Sequence, residues 1–556
     1  MNTRSCSWIL VIALLIPVSL SAQEQSQAKK RTAHHYILFE VPTFGGPNFF
    51  SNFLGPQNSL LGKSGTLVGG ADTSVIDPFC FNMSDCFVEH AFKFQDDVLT
   101  DLGTLPGGAN SQAFWINARG LTVGMAQIAE VDPYLGIQEL RAVAWEHGKI
   151  INLGTLGGHE SLSQAVNDRG QVVGIALNAI PDPISPIGFV GTQMRAFLWE
   201  KGVMQDLGTL GGPDAWARYI NNGTQIAGVS FTNSAINPET GQPTTHAFLW
   251  QHGEMRDLGT LGGTFSEPFG LNNRGQVVGQ SNLRGDPECN GSVDPCVKHA
   301  FFWERGSLKD IGTLGGSYSE ALGVNESGEV VGTADTQNDQ ANHGFVWKAG
   351  VITDLGALRG DDCSIARAIN SRGQIVGTSF SCAAGLVSES ATLWEKGSAI
   401  DLNTFVPPGS DLHLTGDDAY INDRGEIAGT AIRPNGDIRA FLLIPCDENH
   451  PGIEGCDYSM VDDDQSSAHP AAARPCGPPP VSWTPDTLCT RCLSWSSQRC
   501  QTARSGTRRS STASWWSCIG RVGRSRSCRV NSVSPSGRSL VGSSKPLGMP
   551  AAVTVD

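Results

Sequence analysis

The sequence predicts an all-β protein, a β-propeller built of four-stranded antiparallel blades. Three observations predict it. The segment His246–Gly279, HAFLWQHGEMRDLGTLGGTFSEPFGLNNRGQVVG, recurs: Arg195–Gly228 and His299–Gly332 repeat it, and Arg141–Gly174 and His343–Gly377 are looser copies. Each copy holds four short apolar or alternating runs separated by glycine-rich turns, and no run has helical period. The copies begin at His90, Arg141, Arg195, His246, His299, His343, Ala391 and Arg439, spaced by 44 to 54 residues. That spacing is close to the roughly 40–50 residues of a four-stranded blade and too long for one coil of a β-helix.

Within the copy at His246, Ala247-Phe248-Leu249-Trp250 is a bulky, strand-like run. Gln251-His252-Gly253 follows, with glycine where a tight hairpin needs positive φ. Met255–Leu261 is a second short strand, punctuated by Gly262-Gly263. A third run leads to Gly270-Leu271-Asn272, and Asn272-Asn273-Arg274-Gly275 reads as a type I turn closed by a left-handed glycine. The Asn272 side chain can cap that turn by bonding its own backbone. Gln276–Gly279 is the fourth strand. One such small sheet cannot bury both faces, so the copies must pack on each other.

Met1 to about Ala22 reads as a signal peptide: Arg4, an apolar run of 13 residues from Trp8 to Leu20, then small residues at Ser19–Ala22. The run is shorter than the ~20 residues a spanning helix needs. No cysteine follows to take a lipid and no other long apolar segment exists, so an exported protein without a membrane span, secreted or periplasmic, is expected. Residues 23–34 form a polar leader. Tyr36–Val41 is then a strand of the DLGTLGG type with no HAF strand before it, and Gly65–Gly69 matches GQVVG. At the far end, Ala419–Asn422, Glu426–Gly429 and Ala440–Ile444 supply three strands of a blade. The strand missing at the end is the type left over at the start. Tyr36–Val41 is therefore expected to complete the last blade, giving eight blades between about His35 and Pro445 and a ring with no open edge.

The HAF, DLGTLGG and IN-x-x-GQVVG signatures, recurring in fixed order, resemble the extracellular HAF-repeat family of bacteria over about His90 to Ile444. Three copies depart from the pattern. His90-Ala91-Phe92 lacks the Trp at the strand end, Arg141-Ala142-Val143 replaces HAF, and Asp401–Phe405 loses the glycine pair. The resemblance implies secretion and no established activity.

After Pro445 the character changes. Residues 446–464 are a short acidic piece, and 465–556 carry 11 Arg and one Lys against two Asp, leaving −25 for the remainder of a chain whose net charge is −15. This last segment reads either as a basic disordered tail or as the product of a frame error near Gln465, because scattered Trp and Cys without apolar patterning are unusual in evolved disorder. An acidic body argues against nucleic acid as a partner.

Eight of the 15 cysteines are neighbours in the propeller region and its end: Cys80 with Cys86, Cys289 with Cys296, Cys363 with Cys382, and Cys446 with Cys456. In an exported chain these read as local disulfides. A zinc site at Cys489-x-x-Cys492 lacks a second ligand pair, so no metal and no cofactor is expected.

The repeat also decides what is not a site. His90, His246, His299 and His343 stand at equivalent positions, as do Asp101, Asp206, Asp257, Asp310, Asp354 and Asp401, which marks them as structural. No G-x-S-x-G or H-E-x-x-H motif occurs. The turns Asn-x-x-Gly and Trp-x-x-Gly leave one face of the ring nearly bare, whereas the glycine-pair loops and the connections of variable length emerge on the other. Variable loops on a rigid scaffold are where recognition usually lives. The candidates there are His159, Glu160, Asp214, Trp216, Phe265, Glu267, Tyr318, Glu320 and the pairs Asp361-Asp362 and Asp417-Asp418, taken as equivalent loops of neighbouring blades. Aromatics mixed with acids suit a sugar or a cationic ligand. The expectation is a monomeric binding or scaffold module for an extracellular glycan or protein; the alternative is a secreted propeller hydrolase or lyase acting on glycans or lactones.

Overall fold

The computed structural model describes residues 35–50, 60–81, 85–133, 135–182, 191–236, 243–284, 297–416 and 418–456. The expected signal peptide and leader, the tail from 465, Asp417, Cys289 and Cys296 lie outside the described residues.

Tight turns set the strand pattern. At the end of each Trp strand the chain reverses through two consecutive positive-φ residues, as at His252 (54°) and Gly253 (87°), or Lys201 (52°) and Gly202 (86°). Two such residues make the I′ geometry whose twist matches the flanking strands. Each Asn-x-x-Gly turn closes on its asparagine: Asn272 Oδ1 accepts the backbone N–H groups of Arg274 and Gln276, both at 3.0 Å. Four-stranded antiparallel units result. In one, Gly262–Leu271 pairs with Val277–Leu283, that with Lys298–Glu304, and that with Ser307–Gly312. The described strands form five four-stranded sheets, one of five strands and one of eight. The eight-stranded sheet is two such units joined by a single parallel pair, Thr245 with Phe265.

Three sequence readings are corrected in detail. The outermost strand of each unit stops at or just past the repeated aspartate, as in Val351–Asp354 and Ser307–Gly312, so it ends short of the Leu that closes the Met255–Leu261 reading. The Gly-Gly pair is then not a loop but the head of an innermost strand in Gly157–Val166, Gly262–Leu271 and Gly315–Val324. A Cβ on Gly158 would lie 2.5 Å from the Leu177 Cβ, which explains the glycine there. Register also places Ser390, not Ala391, at the position of His343: Gly332 faces Phe345, and Gly377 faces Thr392.

Tyr36–Val41 pairs antiparallel with Ile438–Pro445, from Tyr36 opposite Pro445 to Val41 opposite Ala440. The first strand therefore completes the last sheet, as expected from the orphan strand. A belt of side-chain bonds runs through the turns. Asn117, Asn167, Asn221, Asn272, Asn325 and Asn370 each donate from Nδ2 to the backbone carbonyl of the next asparagine in the series, at 2.8–3.1 Å. The last, Asn422, donates to Gly62 O at 3.0 Å, so the belt returns to the start of the chain. The core lies between neighbouring sheets: Phe92, Phe197, Phe248, Phe301, Phe345 and Phe441 are fully buried. Serines 111, 161, 266, 319 and 364 tie each innermost strand to the third strand of the unit before it, accepting from residues such as Ala247 N at 2.9 Å.

Disulfides join Cys80 to Cys86, Cys363 to Cys382 and Cys446 to Cys456. The segment after Pro445 folds back on the seam. Its His450 is buried between two carboxylates, with Nε2 3.1 Å from Glu426 and Nδ1 2.6 Å from Asp447.

Candidate functional site

The innermost strands run from the head marked by Gly-Gly to the Asn-x-x-Gly turn. Their heads therefore share a face with the connections between second and third strands. The repeated polar residues are consumed in holding this scaffold. His246 Nδ1 lies 2.8 Å from Asp257, whose carboxylate also accepts Gly259 N at 2.7 Å. His90–Asp101, His299–Asp310, His343–Asp354 and Arg195–Asp206 repeat the pairing. The hydrogen bond that His343 donates to Asp354 raises the histidine's pKa above the ordinary value, against the effect of burial.

The non-repeated candidates fall into three places. Phe265, Glu267, Tyr318 and Glu320 come together with basic residues that sequence reasoning missed. Arg218 pairs with Glu267 at 2.5 Å, the Lys298 ammonium sits 5.6 Å above the Phe265 ring, and Tyr318 donates to Glu320 at 2.9 Å. Burial pushes the Glu320 carboxyl up, while Arg367 and Tyr318 work in the other direction. Three basic side chains, Arg218, Lys298 and Arg367, thus stand beside the two acids of the strip. Arg218 and Arg367 were legible as a pattern, since each stands three residues before the turn asparagine, Asn221 or Asn370.

His159, Glu160 and Asp214 belong to a second group on the neighbouring sheets. His159 is exposed, 2.8 Å from Glu139, and Glu139 also holds Arg141 at 2.6 Å. Burial opposes it, but the bonds from Arg141 and His159 leave the Glu139 carboxyl below its usual range. Glu160, only 1% exposed, is pushed up to about 9, first by burial and then by the Asp132 carboxyl beside it, with which it shares a hydrogen bond. Asp214 is fully buried and accepts Met194 N at 2.8 Å. Asp77, which follows its strand as Asp132 does, accepts Asn110 Nδ2 at 2.9 Å. The signal for these contacts was Asp-Pro, which closes three second strands at Asp77, Asp132 and Asp182. Trp216 is half-buried and meets Phe231 edge-on at 6.3 Å.

The third place holds Asp361 and Asp362. Asp361 accepts the Ser379 hydroxyl at 2.9 Å and Asp362 accepts Cys382 N at 2.6 Å. The Asp417-Asp418 pair is not its equivalent. A Cβ on Gly377 would meet Ile365 O and one on Gly429 would meet Asp418 O, so Asp418 stands where Ile365 does. Among the described residues, only Asp362, Cys363 and Cys382 gather three ligand-type side chains at metal-ligand distance. Both sulfurs there are spent in a disulfide, so the donor set does not fit a metal.

No known protein family's profile matches the chain, and no curated protein does. Solved structures do. An acylaminoacyl peptidase from Pyrococcus horikoshii is 9% identical, covering 70% of this chain and 58% of its own, with a TM-score of 0.38. The β-propeller domain of the trilobed protease from Pyrococcus furiosus, described as having an open velcro topology, is 10% identical over 60% of this chain and 89% of its own, at 0.35. TolB from Acinetobacter baumannii is 11% identical over 49% and 63%, at 0.26. The chain thus spans 58% of the length of the first peptidase. Nothing about its chemistry follows from likenesses at these TM-scores.

Proposed function

We propose that this chain is an exported, monomeric HAF-repeat propeller of eight blades that binds an extracellular glycan or protein through the face carrying the strand heads. One observation carries the reading: residues that repeat are bonded into the scaffold, whereas chemical variety collects on one face. Trp216, Phe265, Tyr318 and His159 are partly or fully exposed there, beside paired charges held by Arg218 and Arg141. Aromatic faces with fixed polar partners suit a sugar ring or a protein surface. The belt of asparagines, with one turn per unit and a last bond to Gly62, supports the count of eight. Three disulfides fit an oxidising compartment, and no helix of the described residues is long and apolar enough to cross a membrane.

One observation favours the hydrolase reading instead. Glu160 holds its proton at neutral pH beside a second carboxyl, the arrangement that acid catalysis of glycoside cleavage uses. Its burial keeps a substrate away, so binding is preferred. A glycan array run alongside a glycosidase and lactonase panel separates the two. Specific retention without turnover supports the binding module; turnover abolished by Glu160→Gln supports the enzyme.

A further inference from the structure

Beside the seam, two acids face each other across a sheet. Asp72, on Leu67–Ile76, is the direct register partner of Glu89, on Phe87–Gln95. Like charges directly opposite on one face of a sheet destabilise it, and here both residues are buried, at 0% and 2% exposure. A third carboxyl, Asp85, adjoins them from the disulfide-closed loop. Asn48 orders two of the three: its backbone N–H donates to Asp72 Oδ2 at 2.9 Å, and its Nδ2 donates to Asp85 Oδ2. Phe87 N fixes the other Asp85 oxygen at 3.1 Å. Asn48 also accepts Ile438 N at 3.0 Å, which links the group to the ring-closing sheet.

The positive group that acts on Asp72 is a guanidinium already spent elsewhere. The nearest guanidinium, Arg439, is engaged with Asp437 at 3.1 Å and with the carbonyls of Pro47 and Ile438. Asp72 Oδ1 and Glu89 Oε1 are buried and have no hydrogen-bond partner among the described residues. The Glu89 carboxyl occupies space that only a glycine leaves open, since a Cβ on Gly70 would lie 1.6 Å from Oε1. An unpartnered buried carboxylate costs far more than a surface one, and such groups are retained when they meet a proton or a cation.

We propose that Asp72, Asp85 and Glu89 bind one divalent cation of the hard, oxygen-preferring class, with Ca²⁺ the best match. The donors are all oxygen and their arrangement is irregular, which Ca²⁺ tolerates and Mg²⁺ does not. The three carboxylates do not yet gather at metal-ligand distance, so binding has to draw Glu89 from its place over Gly70 toward the other two. The ion ties the loop closed by Cys80–Cys86 to the strand that carries Asn48, and through Ile438 to the seam. This site is separate from the face on which ligand binding is proposed, so either can fail alone.

The test uses the full chain stripped with EDTA and titrated with CaCl2 alone. Calorimetry should find one ion per chain, and the melting temperature should rise by several degrees at millimolar Ca²⁺ and neutral pH. Asp85→Asn and Glu89→Gln keep the shape and relieve the repulsion, so both should fold. Each should weaken Ca²⁺ binding at least tenfold and lose the Ca²⁺-dependent rise, whatever its melting temperature in EDTA. Absence of binding heat and of any shift with Ca²⁺, Mg²⁺ or Mn²⁺ overturns the proposal and assigns the site to protons. A shift that survives in both variants overturns it too, by placing the ion elsewhere.

Discussion

Glu160→Gln isolates the energetic cost of burying a carboxyl beside another. Burial and Asp132 raise the Glu160 pKa from 4.5 to about 9 in the folded chain. Between those values the folded state holds a proton that the unfolded chain has released. Stability from this group is therefore fully present below about pH 4.5 and is lost as pH rises toward 9. At about 1.4 kcal/mol per pH unit, the loss is roughly 3 kcal/mol by pH 7 and about 6 kcal/mol by pH 9. Glutamine keeps the acceptor for Leu140 N and offers Asp132 a donor, without titrating. Denaturant unfolding across pH 5 to 9 should show wild type falling more steeply than the variant. The difference between the two curves should grow by a few kcal/mol over that range, in favour of the variant at alkaline pH. Parallel curves would refute the assignment of a shared proton to this pair, whatever other acids contribute to both.

Three further outcomes follow from the fold. Asn272→Ala removes two donated and two accepted hydrogen bonds at a buried turn, so equilibrium unfolding should show a loss of about 3–5 kcal/mol at ~1 kcal/mol per bond plus the stranded partners. Losing less than ~1 kcal/mol would show that the belt contributes little. Deleting residues 465–556 should leave the melting temperature unchanged, because the described sheets close without them; a large drop would mean that the segment docks on the ring. Peptide mapping without reduction should recover Cys289 bonded to Cys296 as well as the three observed pairs, and free thiols at those two positions would contradict the pairing.

Much of the architecture was legible because the chain states it repeatedly. The orphan strand Tyr36–Val41 and the incomplete last copy together implied closure, and the strand pairs as expected. The histidines and aspartates were recognisable as structural because they recur at one spacing. What escaped was whatever depends on register. The innermost strands carry irregularities, as between Gly262 and Ser266, so residue counting put the glycine pairs in loops when they head strands. The same slippage made Asp417-Asp418 look like Asp361-Asp362. Reading acids and aromatics alone hid Arg218, Arg367 and Lys298, whose pairing with Glu267, Glu320 and Phe265 appears only when neighbouring units are set side by side. The opposition of Asp72 and Glu89 lies 17 residues apart in sequence and is visible only across the sheet.

The central claim is that ligand binds at the strand-head face, and two double variants compare the faces directly. Trp216→Ala with Tyr318→Ala strips aromatics from the strand heads, whereas Arg274→Gln with Arg372→Gln alters exposed turn residues on the opposite face. Affinity would be measured for the glycan most strongly retained on the array. The account predicts at least a tenfold loss for the first pair and no change for the second. Unchanged affinity in Trp216→Ala/Tyr318→Ala, or a loss confined to the arginine pair, would contradict it.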